Sequence, residues 1–125
     1  MLHDKQAIAN IAVKDITAAA KFYEETLDLR RLSAEGEELI TYQSGDSQLN
    51  VYRSDYAGSN KATAVTWVVG DQLEVIVHAL NAKGVVFEHY DLPGVTCEGD
   101  IHLCGDMKVA WFKDPDGNIL NLVNR

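Results

Sequence analysis

Apolar and polar positions along this chain follow two rhythms, and the rhythms come twice in the same order. Ile8-Ala9-Asn10-Ile11-Ala12-Val13 alternates with period two, as a half-buried strand does. Ile16, Ala19, Ala20, Phe22, Tyr23 and Leu27 then recur every three or four residues, which makes one apolar face of a helix. Lys21, Glu24, Glu25 and Asp28 fall mostly on its other side. Past the middle, Ala64 to Val69 reads again as a strand, and Leu73, Ile76, Val77 and Leu80 again as a helical face. Each half closes on a glycine-centred turn and a last strand. These are Ser44-Gly45-Asp46 before Ser47–Tyr52, and Asp114-Pro115-Asp116-Gly117 before Asn118–Val123.

The repeat predicts a β-α-β-β-β plan for each half. Asp15 and Asp71 stand where helix N-caps are wanted, and Gly84 where a left-handed residue ends the second helix. The first helix is expected to run from Asp15 to Leu29, with extended segments at Leu39–Tyr42 and Leu49–Tyr52 after it. In the second half, Val85-Val86-Phe87 reads as a short strand, Tyr90–Gly105 as an excursion, and Met107–Lys113 as a strand. The expected organisation is a single domain over 1–125, with one module at about 5–53, a polar linker at about 54–62 and a second module at about 63–125. A unit of about sixty residues closes a core poorly alone. Two such units side by side can complete a curved mixed sheet with helices outside and a central cup, an α+β fold.

Composition narrows the partners. With 125 residues, 46% apolar and 24% charged, the chain has the balance of an ordinary globular domain. A net charge of −8 argues against phosphate-backbone binding, so no nucleic acid is expected, and no anionic membrane surface either. No apolar run approaches a membrane span. The first residues lack the plan of a signal peptide, and Cys97 and Cys104 fit free thiols, so the expected location is cytoplasmic.

The helix motif Lys21-Phe22-Tyr23-Glu24-Glu25-Thr26-Leu27, the strand before it and the closing Trp111-Phe112-Lys113-Asp114-Pro115-Asp116-Gly117-Asn118 carry a resemblance. The chain resembles the glyoxalase/bleomycin-resistance/dioxygenase family, the vicinal oxygen chelate superfamily, over nearly its whole length. The resemblance implies paired βαβββ modules, a homodimer and a small-molecule pocket in each cup of sheet. Enzymes of the family hold one divalent metal through His, Gln or Glu on the first and last strands of each module. Those positions fall here on Ile8, Asn50, Ala64 and Asn121. Two are aliphatic and two offer only a neutral amide oxygen, weak for zinc, nickel or iron. No cofactor or metal site is therefore expected, and no catalytic residue is assigned.

Strand parity then selects the ligand pocket: Ile8, Asn10, Gln48, Asn50, Tyr52, Thr66, Asn121 and Val123. Apolar walls with a few neutral anchors suit an apolar or aromatic small molecule, to be sequestered or sensed. No carboxylate or imidazole falls on these positions, so no acid–base pair is expected. By the same parity Trp67 points away from the cup, toward core. Tyr42 and Tyr52 read either as lining the cup mouth or as ordinary strand packing, and Trp111 is left open. Cys97, His102 and Cys104, with His89, Asp100 and Asp106 nearby, match no standard zinc spacing and read as a loop or hairpin over the pocket. The alternative function is a glyoxalase- or dioxygenase-like enzyme, a lyase or oxidoreductase, with a displaced metal site. A structural role without a ligand is the third reading.

Overall fold

The computed structural model describes all 125 residues. They form two compact units, Met1–Ser59 and Asn60–Arg125. Strand pairing gives one mixed sheet per unit, and the fold is α+β.

The first unit holds β1 (Ala9–Val13), helix α1 (Ile16–Ala20), β2 (Arg30–Glu35), β3 (Leu39–Ser44) and β4 (Ser47–Arg53). The sheet order is β1-β4-β3-β2, with β1 parallel to β4 and the other pairs antiparallel. Asp15 caps α1 as the sequence predicts: its Oδ1 accepts from the backbone N–H of Thr17 at 2.9 Å and of Ala18 at 3.2 Å. The α-helix is shorter than the apolar spacing predicts. From Lys21 to Thr26 it widens into a π-helix, in which Leu27 N–H reaches the Phe22 carbonyl at 3.0 Å. Asp28 then takes a left-handed φ of 60° and ends it.

The helical segment covers one face of this sheet. Ile11, Val13, Ile40, Tyr42, Leu49 and Val51 are buried there with Ile16, Ala19 and Tyr23. Burying each such aliphatic or aromatic side chain is worth roughly 1.5–3 kcal/mol. Tyr42 belongs to this core. Its hydroxyl donates to Glu24 Oε2 at 2.8 Å, and its ring lies 6.0 Å from that of Tyr23. Of the two readings open for Tyr42, strand packing holds and the cup mouth does not, because position 42 shares its parity with the buried Ile40 and not with Thr41.

The second unit holds β5 (Thr63–Val68), α2 (Leu73–Ala82), β6 (Thr96–Glu98), β7 (Ile101–Cys104), β8 (Met107–Lys113) and β9 (Ile119–Val123). The sheet order is β5-β9-β8-β7-β6, again with first and last strands parallel. Asp71 does not cap α2. It sits inside a 3-10 turn, Gly70–Gln72, and Gln72 occupies the cap position without a capping bond from its side chain. The other end follows the sequence reading. Gly84 has φ 93°, its N–H reaches the Asn81 carbonyl at 3.0 Å, and Val85 N–H reaches Leu80 at 3.0 Å. These two bonds make a Schellman motif.

Two local expectations for this unit are corrected. Val85-Val86-Phe87 is not a strand; only Glu88 makes an isolated bridge, to Trp111. The predicted excursion contains the β6–β7 hairpin, in which Cys97 pairs with His102. Phe87 goes instead to the core under α2, with its ring 5.6 Å from Phe112. Lys108 Nζ meets Glu74 of α2 at 3.0 Å, which ties the helix to the face bearing Lys108, Ala110 and Phe112. Trp67 stacks on Phe112 at 6.5 Å on that same side, away from Asn121, as parity predicts.

Asp114 builds the last turn. It is buried, and its Oδ1 accepts from Asp116 N–H at 2.9 Å and Asn118 N–H at 2.8 Å. Its Oδ2 accepts from Asn118 Nδ2 at 2.8 Å. The turn delivers β9, and with it Asn121, at a fixed register: Asn121 lies between Trp111 of β8 and Thr66 of β5.

Candidate functional site

Each sheet has one face turned away from its helix, and the predicted pocket residues lie on these two faces. In the first unit the register pairs Asn10 with Asn50, and Asn50 with Thr41. Side chains paired across strands point to the same side. Gln48, Asn50 and Tyr52 alternate along β4 on that side. Asn50 Oδ1 accepts from the Thr41 hydroxyl at 2.7 Å. Asn10 is exposed and turns its Nδ2 to the Ile8 carbonyl at 3.3 Å. Ile8 precedes β1 and is 40% exposed. This face is polar and open.

The second face is different. Thr66, Asn121 and Val123 share it with Val109, Trp111 and His102, through the pairs Thr66–Asn121, Trp111–Asn121, Val109–Val123 and Val109–His102. Thr66 is exposed, while Asn121, Val123 and Val109 are buried. His102 is 1% exposed. Its Nε2 accepts the backbone N–H of Tyr90 at 2.8 Å. That bond draws the segment after α2 across the sheet and sets the Tyr90 ring against His102 and Trp111. Trp111 lies 4.8 Å from His102 and 5.3 Å from Tyr90, both near perpendicular. Its indole Nε1 donates to the Thr63 hydroxyl at 3.1 Å. Outside this cluster His89 Nε2 meets Asp100 at 2.8 Å, and Asn81 Nδ2 donates to the same carboxylate at 2.9 Å. Those two bonds hold the Asp100 carboxyl below its usual range.

Three buried polar atoms in the chain have no partner: the Tyr90 hydroxyl, His102 Nδ1 and Asn121 Oδ1. All three belong to this one cluster. Burial, with the Glu88 charge second, pushes the Tyr90 hydroxyl above its usual range, and Lys113 pulls against it, so Tyr90 keeps its proton. Asn121 is the only one of the three among the predicted pocket residues. The sequence places His102 in a loop or hairpin, and only the β7–β8 register sets it opposite Val109. An imidazole does therefore stand on a face where none was expected. Cys97 and Cys104 are free and exposed.

A second polar group lies under the first helix. Glu24, on the π-helical turn, receives the Tyr42 hydroxyl and Arg31 Nε at 3.0 Å, with Arg31 Nη2 closer still. Burial raises the Glu24 carboxyl, but these hydrogen bonds and the Arg31 charge outweigh it and leave it below the usual range. Burial and the neighbouring carboxylate push the Tyr42 hydroxyl far up. An open depression of about 430 Å³ borders this group, lined by Ala20, Lys21, Glu24, Glu25 and Arg31. Glu24 and Arg31 are paired with each other, which suits a structural clamp.

Two modules, each with its first and last strands paired in parallel and a helix on one face of its sheet, define a known fold class. The chain belongs to the Glyoxalase/Bleomycin resistance protein/Dioxygenase superfamily, which matches it over residues 5–122. Among solved structures it is similar to a lactoylglutathione lyase from Agrobacterium tumefaciens, with a TM-score of 0.72 and 13% identity over 96% of this chain and 92% of that one. A fosfomycin resistance protein, FosX, from Listeria monocytogenes, complexed with Mn(II) and 1S,2S-dihydroxypropylphosphonic acid, gives a TM-score of 0.75 at 13% identity, over 99% of this chain and 91% of that one. The structure VPC_CASS1, from the mobile metagenome of V. Pseudocholerae, gives 0.67 at 21% identity, over 98% and 95%. At these identities the likeness is one of fold. No curated protein sequence matches the chain.

Proposed function

We propose that this protein binds a small apolar or aromatic molecule without the divalent ion that enzymes of its family use, and that it sequesters or senses that molecule. The donor set carries this reading. Of the four positions where the family presents metal ligands, Ile8 and Ala64 have no lone pair to give. Asn50 already has its amide oxygen engaged by Thr41 at 2.7 Å. Asn121 offers one neutral oxygen, where zinc, nickel or iron would want imidazole, thiolate or carboxylate. These residues do not fit the ion, and no catalytic step is derived through it.

The pocket residues proposed are Ile8, Asn10, Gln48, Asn50, Tyr52, Thr66, Asn121 and Val123. Free, exposed Cys97 and Cys104 suit a reducing cytoplasm. Homodimerisation is proposed from the family, and apolar side chains left exposed support it: Leu32 on β2 is 45% exposed and Val68 on β5 is 66% exposed. Sedimentation at micromolar concentration should show twice the chain mass.

The test is metal analysis of natively purified protein together with a thermal-shift screen of small aromatic compounds, run with and without chelator. Chelation should leave both the melting temperature and any ligand-induced shift unchanged. Near-stoichiometric nickel, zinc, iron or manganese, lost on chelation together with stability, would return the protein to the metal-dependent enzymes.

A further inference from the structure

We infer that the depression beside the first helix is a second binding site, one for a zwitterion whose ammonium and carboxylate stand on neighbouring carbons, as in a free α-amino acid. The inference goes beyond the small-molecule reading above and does not rest on it. Arg31 pairs with Tyr42 across β2 and β3, so it faces the helix, on the side of the sheet away from Asn50. There Lys21, Glu24, Glu25 and Arg31 line a space of about 430 Å³, with Ala20 as the one apolar wall. That volume falls in the range of small-molecule pockets and leaves room for an amino acid with its side chain. Three of the four charged residues belong to the π-helical turn Lys21–Thr26, a local widening that often accompanies function.

The hydrogen bonds of the clamp leave it half used. The Tyr42 hydroxyl, Arg31 Nε and Arg31 Nη2 all donate to one oxygen of Glu24, Oε2. Oε1 takes none of the three, and Arg31 Nη1 gives nothing to Glu24. The carboxylate and the guanidinium, in contact at 3.0 Å, are therefore held in place with an acceptor and a donor to spare. Lys21 is exposed, and its ammonium makes no ion pair. A ligand ammonium answers Glu24 Oε1, with Glu25 beside it. A ligand carboxylate answers Lys21 Nζ and Arg31 Nη1. Two cations and two carboxylates line the depression, so a ligand of one sign meets repulsion along with attraction. A zwitterion meets its complement at both ends.

Three probes test this on the native chain by amide NMR titration: L-glutamine, L-glutaminamide, which lacks the carboxylate, and glutaramate, which lacks the ammonium. L-Glutamine should shift amide signals between Ala20 and Arg31. It should bind about fivefold or more tighter than either of the others, the ratio for one exposed charge contact. Lys21→Met should bring glutamine level with glutaminamide and leave glutaminamide where it was. Lys21 is exposed and unpaired, so this variant should fold, and the probe ratio on the native chain decides by itself if it does not. Equal affinities for all three probes would overturn the inference. Glutaramate as tight as glutamine would overturn it too, as the mark of a plain anion site. So would shifts confined to other residues, or none up to the solubility limit of glutamine. The aromatic thermal-shift screen judges the small-molecule reading separately.

Discussion

The Tyr90 backbone N–H and His102 Nε2, 2.8 Å apart, join the segment after α2 to the centre of the second sheet. The same bond assigns the imidazole proton to Nδ1. Long-range nitrogen–proton NMR correlations of His102 should therefore show the Nδ1–H tautomer in the free protein. The Nε2–H pattern would mean that the bond is absent in solution and that the segment lies elsewhere. His102→Ala should also raise amide hydrogen exchange at Tyr90, because its acceptor is gone.

The Glu24 group makes a pH-dependent contribution of known sign. Its folded carboxyl lies below the ordinary value of 4.5. Its stabilisation is therefore fully present above the unfolded carboxylate range and is lost as pH falls through the folded value. With side chains of Glu24 and Arg31 32% and 43% exposed, solvent screening holds the ion-pair part under about 1 kcal/mol. Urea unfolding should show a penalty for Glu24→Gln at pH 7 that shrinks below about pH 4. A penalty of equal size at both would mean that packing, not charge, is what the substitution disturbs.

Tyr42→Phe isolates the other half of that group. The ring remains under the helix, and only the hydroxyl bond to Glu24 disappears. A loss of about 1 kcal/mol is expected, close to the worth of a single hydrogen bond. A loss above about 3 kcal/mol would show that the hydroxyl holds the π-helical turn itself.

Asp114 should be among the most sensitive polar positions. Asp114→Ala removes the buried carboxylate that accepts from two backbone N–H groups and the Asn118 amide. Equilibrium unfolding should record a loss of about 2–4 kcal/mol. Phe112→Ala, which empties the space between Trp67 and Phe87, should cost about 3–5 kcal/mol. If Asp114→Ala proved nearly silent, the turn would be held by Pro115 and Gly117 alone.

Much of the fold could be read from period and punctuation. Asp15, Gly84 and the Asp114–Asn118 turn act where their chemistry places them, and parity turned Trp67 away from Asn121, onto Phe112. The π-helical turn was not readable, because 3.6-residue spacing in Phe22, Tyr23 and Leu27 tolerates one widened turn without a change of apolar face. Asp71 misled because a good capping residue also suits a 3-10 turn. The candidate site was the least legible part. Periodicity assigns faces within a strand, but His102, Trp111 and Tyr90 meet through pairing between strands and through one backbone bond from a segment with no regular structure. An unsatisfied atom has no sequence signature. It becomes visible only when every possible partner has a position.

Strand β5 holds one residue more than its partner uses. Thr63 pairs with Ile119 and Val65 with Leu120, so Ala64 stands out as a bulge. Counting back from the helix therefore gives the wrong side for Thr63, whose hydroxyl reaches the Trp111 indole with the same orientation as Thr66. Were Ala64 paired in simple alternation instead of bulged, the two threonines would face opposite sides. The tryptophan would lose its anchor without any substitution near it. A single silent alanine thus decides how many hydroxyls this wall of the protein can offer to a guest.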